Sequence, residues 1–255
     1  MTTVLFDGFE DWRAHCERTG EPAWLPVLCY EQTQKNKTED EIWAGVERAW
    51  AVMQDAVGTG LTRDLVSVSG MINNGAKKVF QCPVNVLDDS FRLLVARTLA
   101  AKELNSCMGR VVAAPTAGAS GILPGILTHL QHTHALPART LHECLLVAAG
   151  VGLVIERRAS IAGAVGGCQA ETGTAAAMGA AAIVLALGGS VRQQHEAVAI
   201  TIMDMLGLIC DPIAGLVEVP CVQRNASAAV IAYAAAQIAI AGYEVGLPTD
   251  EVVDV

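Results

Sequence analysis

Two long apolar stretches, GTAAAMGAAAIVLALGG at 173–189 and AAVIAYAAAQIAIAGY at 228–243, constrain this chain more than any other feature. Both are built mainly of Ala, Gly, Ile and Val, small side chains that let neighbouring helices approach closely. A membrane-spanning helix needs about 20 predominantly apolar residues. These stretches are shorter and are bounded by Glu171, Arg192, Arg224 and Glu244, so they read as buried core helices. The whole chain agrees, with 52% hydrophobic, 17% charged and only 4% aromatic residues over 255 positions, enough to bury a substantial core. Strand-like alternation is scarce, and no repeat or linker divides the sequence. The expected fold is therefore all-α, a single compact helical domain over residues 1–255.

Residues 38–57 predict an amphipathic helix, capped by Thr38, acidic in its first turn, with Ile42, Val46, Ala49, Trp50, Met53 and Val57 on one face. The helical period returns from Ser90 to about Leu104, from near Thr140 to the basic pair Arg157 and Arg158, from Thr174 to Leu187, over 192–207, and again through Ala241. Between these lie three irregular segments rich in Gly, Pro and polar residues: 58–86, the run NSCMGRVVAAPTAGASGILPGIL at 105–127, and ASIAGAVGGCQAETG at 159–173. The final GLPTDEVVDV announces a helix that scarcely begins.

A net charge of −9 argues against a nucleic-acid surface and favours a small-molecule or protein partner. The N-terminus, MTTVLFDGFEDWRAHCE, carries acids where a secretory signal needs basic residues before an apolar run, so a cytoplasmic location is expected. In that compartment the eight cysteines are thiols or metal ligands rather than disulfides.

Three of them stand apart. Cys168, Cys210 and Cys221 occur in GGCQAE, LICDP and VPCVQRN, at separations of 42 and 11, each in a Gly- or Pro-containing break between helices. Such positions let thiolates converge from different helix ends. Cys16, Cys29, Cys82, Cys107 and Cys144 have helical or less punctuated contexts, where a cysteine behaves as a small buried hydrophobe. No compact CxxC pair is present, so spacing alone leaves both a metal site and plain thiols open. His129, His132 and His134, spaced by three and two, read as covering a solvated helix end; His142 and His195 have ordinary helix contexts. The loop from Ala114 to Gly121 offers Thr116, Ser120 and backbone amides, suited either to holding a carboxylate or to capping the next helix. Ser69, Asn105, Arg224 and Asn225 fall at polar loop positions, and Arg224 suits a carboxylate clamp.

The stretches APTAGASGILPGIL, GAVGGCQAETG and GLICDPIAGLVEVPCVQRNASAA resemble the alpha chain, or catalytic domain, of the iron-sulfur-dependent L-serine dehydratases, over about Glu31 to Ala241. The resemblance implies loops that converge on a 4Fe-4S cluster held by Cys168, Cys210 and Cys221, with one iron left without a protein ligand. That iron would accept the substrate's β-hydroxyl as a Lewis acid. Loss of the α-proton and of hydroxide would then give aminoacrylate, which tautomerises and hydrolyses to pyruvate and ammonia without pyridoxal phosphate. It further implies catalytic roles for Thr116, Ser120 and Asn105, and substrate binding by Ser69, Gly118, Arg224 and Asn225. A beta-type subunit, or a homo-oligomer, is expected to complete the site, with no nucleic acid and no membrane involved. The chain departs from the family pattern with NNGA at 73–76 where Gly-Gly-Asp/Asn-Ala is usual, NSCMG at 105–109 in place of Asn-Ala-Ser-Met-Gly, and Val165 where Glu is usual. These departures leave the choice among small β-substituted amino acids open, and with it the alternative of a non-catalytic or altered-specificity iron-sulfur subunit of a two-chain lyase.

Overall fold

The stretch at 173–189 sets the architecture. In the computed structural model, which describes residues 6–255, it belongs to α8 (Gly163–Ala186), where every residue from Thr172 to Val184 is buried. A helix that is apolar all round is stable only inside. Four helices enclose it: α6 (Ile122–His134), α7 (Ala138–Arg158), α9 (Val191–Met205) and α10 (Cys221–Ile240). Outside these, α5 (Asp89–Ser106) packs on α6 and α10 and carries α3 (Glu39–Thr62) and α4 (Gly75–Gln81) on its far side. Finally, α2 (Trp24–Lys35) covers α7, while α1 (Phe9–Thr19) and α11 (Thr249–Asp254) lie together on α9. Among the described residues there is no strand, only an isolated bridge between Val66 and Asn73. The all-α expectation holds. The first five residues of the stretch read for a targeting signal lie outside the described residues.

Glycines at the crossings bring the helices together. Gly125 of α6 faces Thr98 of α5, and Gly179 of α8 faces Ile126. Gly60 of α3 sits so close to α5 that a Cβ there would meet the Ala100 carbonyl and lie 2.7 Å from its Cα. Gly60→Leu must push the two helices apart, so it is expected to lower unfolding stability by about 2 kcal/mol or more, as urea denaturation would measure. This contact also explains why α3 continues through Gly58 and Gly60 to Thr62, past the expected end at 57. Its start is as expected: the Thr38 side chain accepts from Glu41 N–H, and Glu41 accepts in return from Thr38 N–H.

Several expectations need correction. The irregular segment 58–86 contains α4, whose first turn is held by the buried Glu103 carboxylate accepting from Ala76 N–H at 3.0 Å. The Gly-rich turn expected at 159–173 is confined to 159–162; from Gly163 on the chain is helical, with a break at Gly167 (φ 77°, ψ −173°). Asn105 lies in the last turn of α5, and Arg224 and Asn225 lie in the first turn of α10, so none of the three is a loop residue. Of the five cysteines expected to be buried, Cys16 and Cys144 are; Cys29 and Cys107 are half-buried and Cys82 is exposed.

His129 is buried, unlike His132 and His134. Arg97 of α5 donates to its Nδ1 at 2.8 Å, leaving Nε2 to donate to Ser90 Oγ at 3.1 Å. Burial, reinforced by the Arg97 charge, brings its pKa down to about 4. Helical spacing placed His129 beside its exposed neighbours, but the packing of α6 on α5 turns it inward. By length and composition α7 could cross a membrane; in the fold it packs against α2, α3 and α8.

Candidate active site at the three cysteines

The break at Gly167 brings the first two cysteines together. A left-handed φ of 77° favours glycine, and a Cβ at this position would stand 2.7 Å from Leu208 O and 3.4 Å from Cys210 N. Cys168, 4% exposed, therefore opens the long continuous part of α8 directly against residues 208–210. Gln169 locks this contact from both ends: its N–H donates to Leu208 O at 2.9 Å and its Oε1 accepts from Gly207 N–H at 2.8 Å. After Cys210 the chain turns over residues 213–215 and folds back, with Ile213 N–H donating to Val219 O, so that Cys221 becomes the first residue of α10.

One turn into α10, Arg224 fastens all three segments. Its Nη1 donates to Cys168 Sγ at 3.2 Å and to Ile209 O at 3.1 Å, and both guanidinium nitrogens engage Asp211. Two of the thiols thus start helical segments, and one accepts a hydrogen bond from a guanidinium. Burial pushes the Cys221 thiol up, as does neighbouring Cys168, while Lys102 pulls it down.

Lys102 is 0% exposed, although spacing alone marks it as an ordinary polar position on α5. Its Nζ donates to Asn105 Oδ1 at 2.8 Å, to Val217 O at 3.2 Å and to Ser106 Oγ at 3.4 Å. Burial lowers its pKa, and the negative groups Cys221, Glu171 and Glu218 oppose that shift. Glu218 is buried and accepts from the hydroxyls of Ser67 and Ser69. Burial pushes its carboxyl up, but these hydroxyls, the Ser69 amide and Lys102 bring it below the usual carboxylate range. Ser69 is therefore held on Glu218, and Asn105 on Lys102.

The Ala114–Gly121 loop reaches the same pole through Glu171, which lies three residues beyond Cys168 and so on the same helix face. Thr116 Oγ1 donates to Glu171, and Gly118 and Gly163 both abut its carboxylate. A Cβ at Gly118 would stand 2.7 Å from the carboxyl carbon, so a larger residue there would displace the Glu171 carboxylate. Asn225, fully buried, accepts from Gly121 N–H at 3.0 Å and donates to Gly118 O and Cys221 O, both at 2.9 Å. The Gly121 amide is thus already occupied. Ser120 is fully buried, and its Oγ has no partner. Asn225→Ala would remove the side-chain partner of the Gly121 amide and of the Gly118 carbonyl and is expected to lower unfolding stability by about 2 kcal/mol or more, as thermal or urea unfolding would show.

The residues singled out in the sequence meet at one pole, and the four charged members of that pole missed by sequence reasoning are Lys102, Glu171, Asp211 and Glu218. Glu171 was the most accessible to it, through its spacing from Cys168. Val165 is 81% exposed, and Cys107 packs with the separate apolar cluster around Val57 and Leu65. Asn74 uses its side chain to accept from Leu65 N–H, shaping the turn before α4.

Among the described residues no three His, Cys, Asp or Glu side chains close on one point as ligands of a single ion. A cluster makes a different demand, because each thiolate meets its own iron, and three thiols from three separate segments are soft donors suited to iron-sulfur chemistry. Around the pole Val66, Val68, Met71, Ile209, Ile213 and Val217 are exposed, a density of apolar side chains that marks an interaction surface.

A family model described as the serine dehydratase alpha chain matches residues 21–255, which include every residue of this constellation. The chain belongs to that family. It is 40% identical over 241 residues to the L-serine dehydratase alpha chain of Peptoniphilus asaccharolyticus, covering 93% of this chain and 82% of that one. It is also 40% identical over 231 residues to a probable L-serine dehydratase alpha chain of Bacillus subtilis, covering 89% and 77%. Against the L-serine dehydratase of Streptomyces coelicolor the identity is 36%, over 86% of this chain but 49% of that longer protein. The named members are dehydratases, which places this family chain among the lyases.

Proposed function

We propose that this chain is the catalytic alpha subunit of an L-serine dehydratase, eliminating water and then ammonia from L-serine or a close β-substituted analogue. The observation that carries the reading is the joint fastening of Cys168, Cys210 and Cys221 by Gly167 and Arg224. In this reading the three thiolates hold a 4Fe-4S cluster, which when bound supplies a Lewis-acidic iron for the substrate's β-oxygen.

The chain's own groups divide the remaining work. The Glu171 carboxylate, beside the loop and on the face of Cys168, takes the α-proton, and the Thr116 hydroxyl fixes its orientation. Ser120 brings an unpartnered hydroxyl to the same loop. The Lys102 ammonium, held by Asn105 and Val217 O, stabilises negative charge across the pole formed by Cys221, Glu171 and Glu218. Arg224 and Asn225 keep the thiol segments and the loop in register, and Ser69 and Gly118, held against Glu218 and Glu171, are the positions assigned to substrate binding. A beta-type partner covers the exposed apolar rim. Support for it comes from the Streptomyces coelicolor relative, in which the matched region is only about half of one longer protein.

The test is release of pyruvate and ammonia under anaerobic conditions with L-serine, L-threonine and L-cysteine compared. The reading expects product from L-serine in excess of the others. Absence of product from all three, in a preparation containing the partner and full iron, would contradict it.

A further inference from the structure

Away from the cysteines, α1, the first two turns of α9 and residues 244–249 line a cavity of about 220 Å³. It shares no lining residue with the cysteine site. His195, 2% exposed, forms part of its wall, edge-on to Phe9 with ring centroids 5.0 Å apart and tilted 5.1 Å from Trp12. Neither ring nitrogen makes a hydrogen bond of good geometry, although the Phe9 backbone lies close enough to favour the protonated ring. Burial, and secondarily the Arg13 charge, brings the imidazole's pKa down to about 3, while the Phe9 backbone opposes weakly. At neutral pH the ring is uncharged and presents one donor and one acceptor. Buried polar atoms are almost always satisfied, so a buried imidazole without a well-formed hydrogen bond, beside a polar cavity, calls for an occupant.

The rim states what kind. Arg13 is paired with Glu10, and Arg192 with Glu244 at 3.0 Å, while Glu196 Oε2 accepts from Val245 N–H at 3.0 Å. Both ion pairs are partly exposed and so are easily exchanged for a ligand's charges. A simple anion would satisfy the guanidinium groups and strand the carboxylates; a simple cation would do the reverse. A ligand carrying both charges on adjacent atoms answers both, and the volume admits only a small one. We propose that this cavity is a binding site for a small free α-amino acid, its carboxylate on Arg13 or Arg192, its ammonium on the facing glutamates, and its remaining polar atoms on His195. Bound there, the ligand would tie the N-terminal helix and residues 244–249 to α9, which packs along α8 behind Cys168.

The experiment is a titration of the full chain with glycine, followed by NMR at the Trp12 indole N–H and the His195 ring nitrogens. A saturable shift is expected with glycine and none with acetate or methylammonium at equal concentration. Arg192→Met, a change at an exposed position, should weaken the effect by roughly tenfold. His195→Phe, which keeps the aromatic packing, should abolish the Trp12 shift. The glycine response must survive Cys210→Ser, which separates this cavity from the cysteine site and from any failure of the proposed activity. No shift with glycine would mean that water alone satisfies His195, and an equal shift with acetate would mean an adventitious anion only; either result overturns the proposal.

Discussion

Glu171→Gln is expected to cut pyruvate formation from L-serine by about 100-fold or more while leaving the iron and sulfide content of the chain unchanged. Glutamine keeps the size of the side chain and can still accept from Thr116 through its carbonyl, so the loop and the glycine contacts at 118 and 163 remain satisfied. What it loses is the capacity to take a proton. A kcat that falls with KM nearly constant would identify a group acting in the transition state, whereas a loss of iron together with activity would assign Glu171 to the scaffold. Turnover within a few-fold of the unmodified chain would move the base to the partner subunit.

The isolated chain should be a weak catalyst whose turnover rises about tenfold or more when a beta-type chain from the same organism is added. The exposed side chains Val66, Val68, Ile209, Ile213 and Val217 ring the same pole that holds the thiols, so a partner seated there excludes water from the site as it binds. Val217→Asp or Ile213→Asp should weaken association without changing iron content. Full turnover by the chain alone, unaffected by the partner, would contradict this picture.

The sequence revealed those features that are decided locally. The capping box at Thr38 and Glu41, the basic end of α7 and the breaks around the three cysteines were all readable because each is written within a few residues. A second capping box, at Ser190 and Gln193, starts α9 within one residue of the expected place. What could not be read depends on which element lies opposite. Lys102 and His129 have polar identities at ordinary helical positions, and only the approach of neighbouring helices and of the Val217 segment buries them. Gly118 was singled out for substrate, and its contact with the Glu171 carboxylate, 53 residues on, is not written in the local sequence. The run at 159–173 looked like a turn because Gly is a poor helix former, but all of those residues except Gly167 tolerate the packing that makes most of the segment helical. Arg224 was singled out for a substrate carboxylate, and its fork is occupied by the chain's own Asp211, a pairing 13 residues apart that no periodicity announces.

The central claim is that Cys168, Cys210 and Cys221 act together as the ligands of one cluster. Iron and acid-labile sulfide per chain, measured after anaerobic purification, test it most directly. The unmodified protein should hold about four of each. Cys168→Ser, Cys210→Ser and Cys221→Ser should each lose most of both, while Cys107→Ser and Cys16→Ser, which alter thiols packed elsewhere, should keep full content. Full iron and sulfide in any one of the three ligand variants, or an iron-free chain that turns over L-serine at the normal rate, would contradict the account.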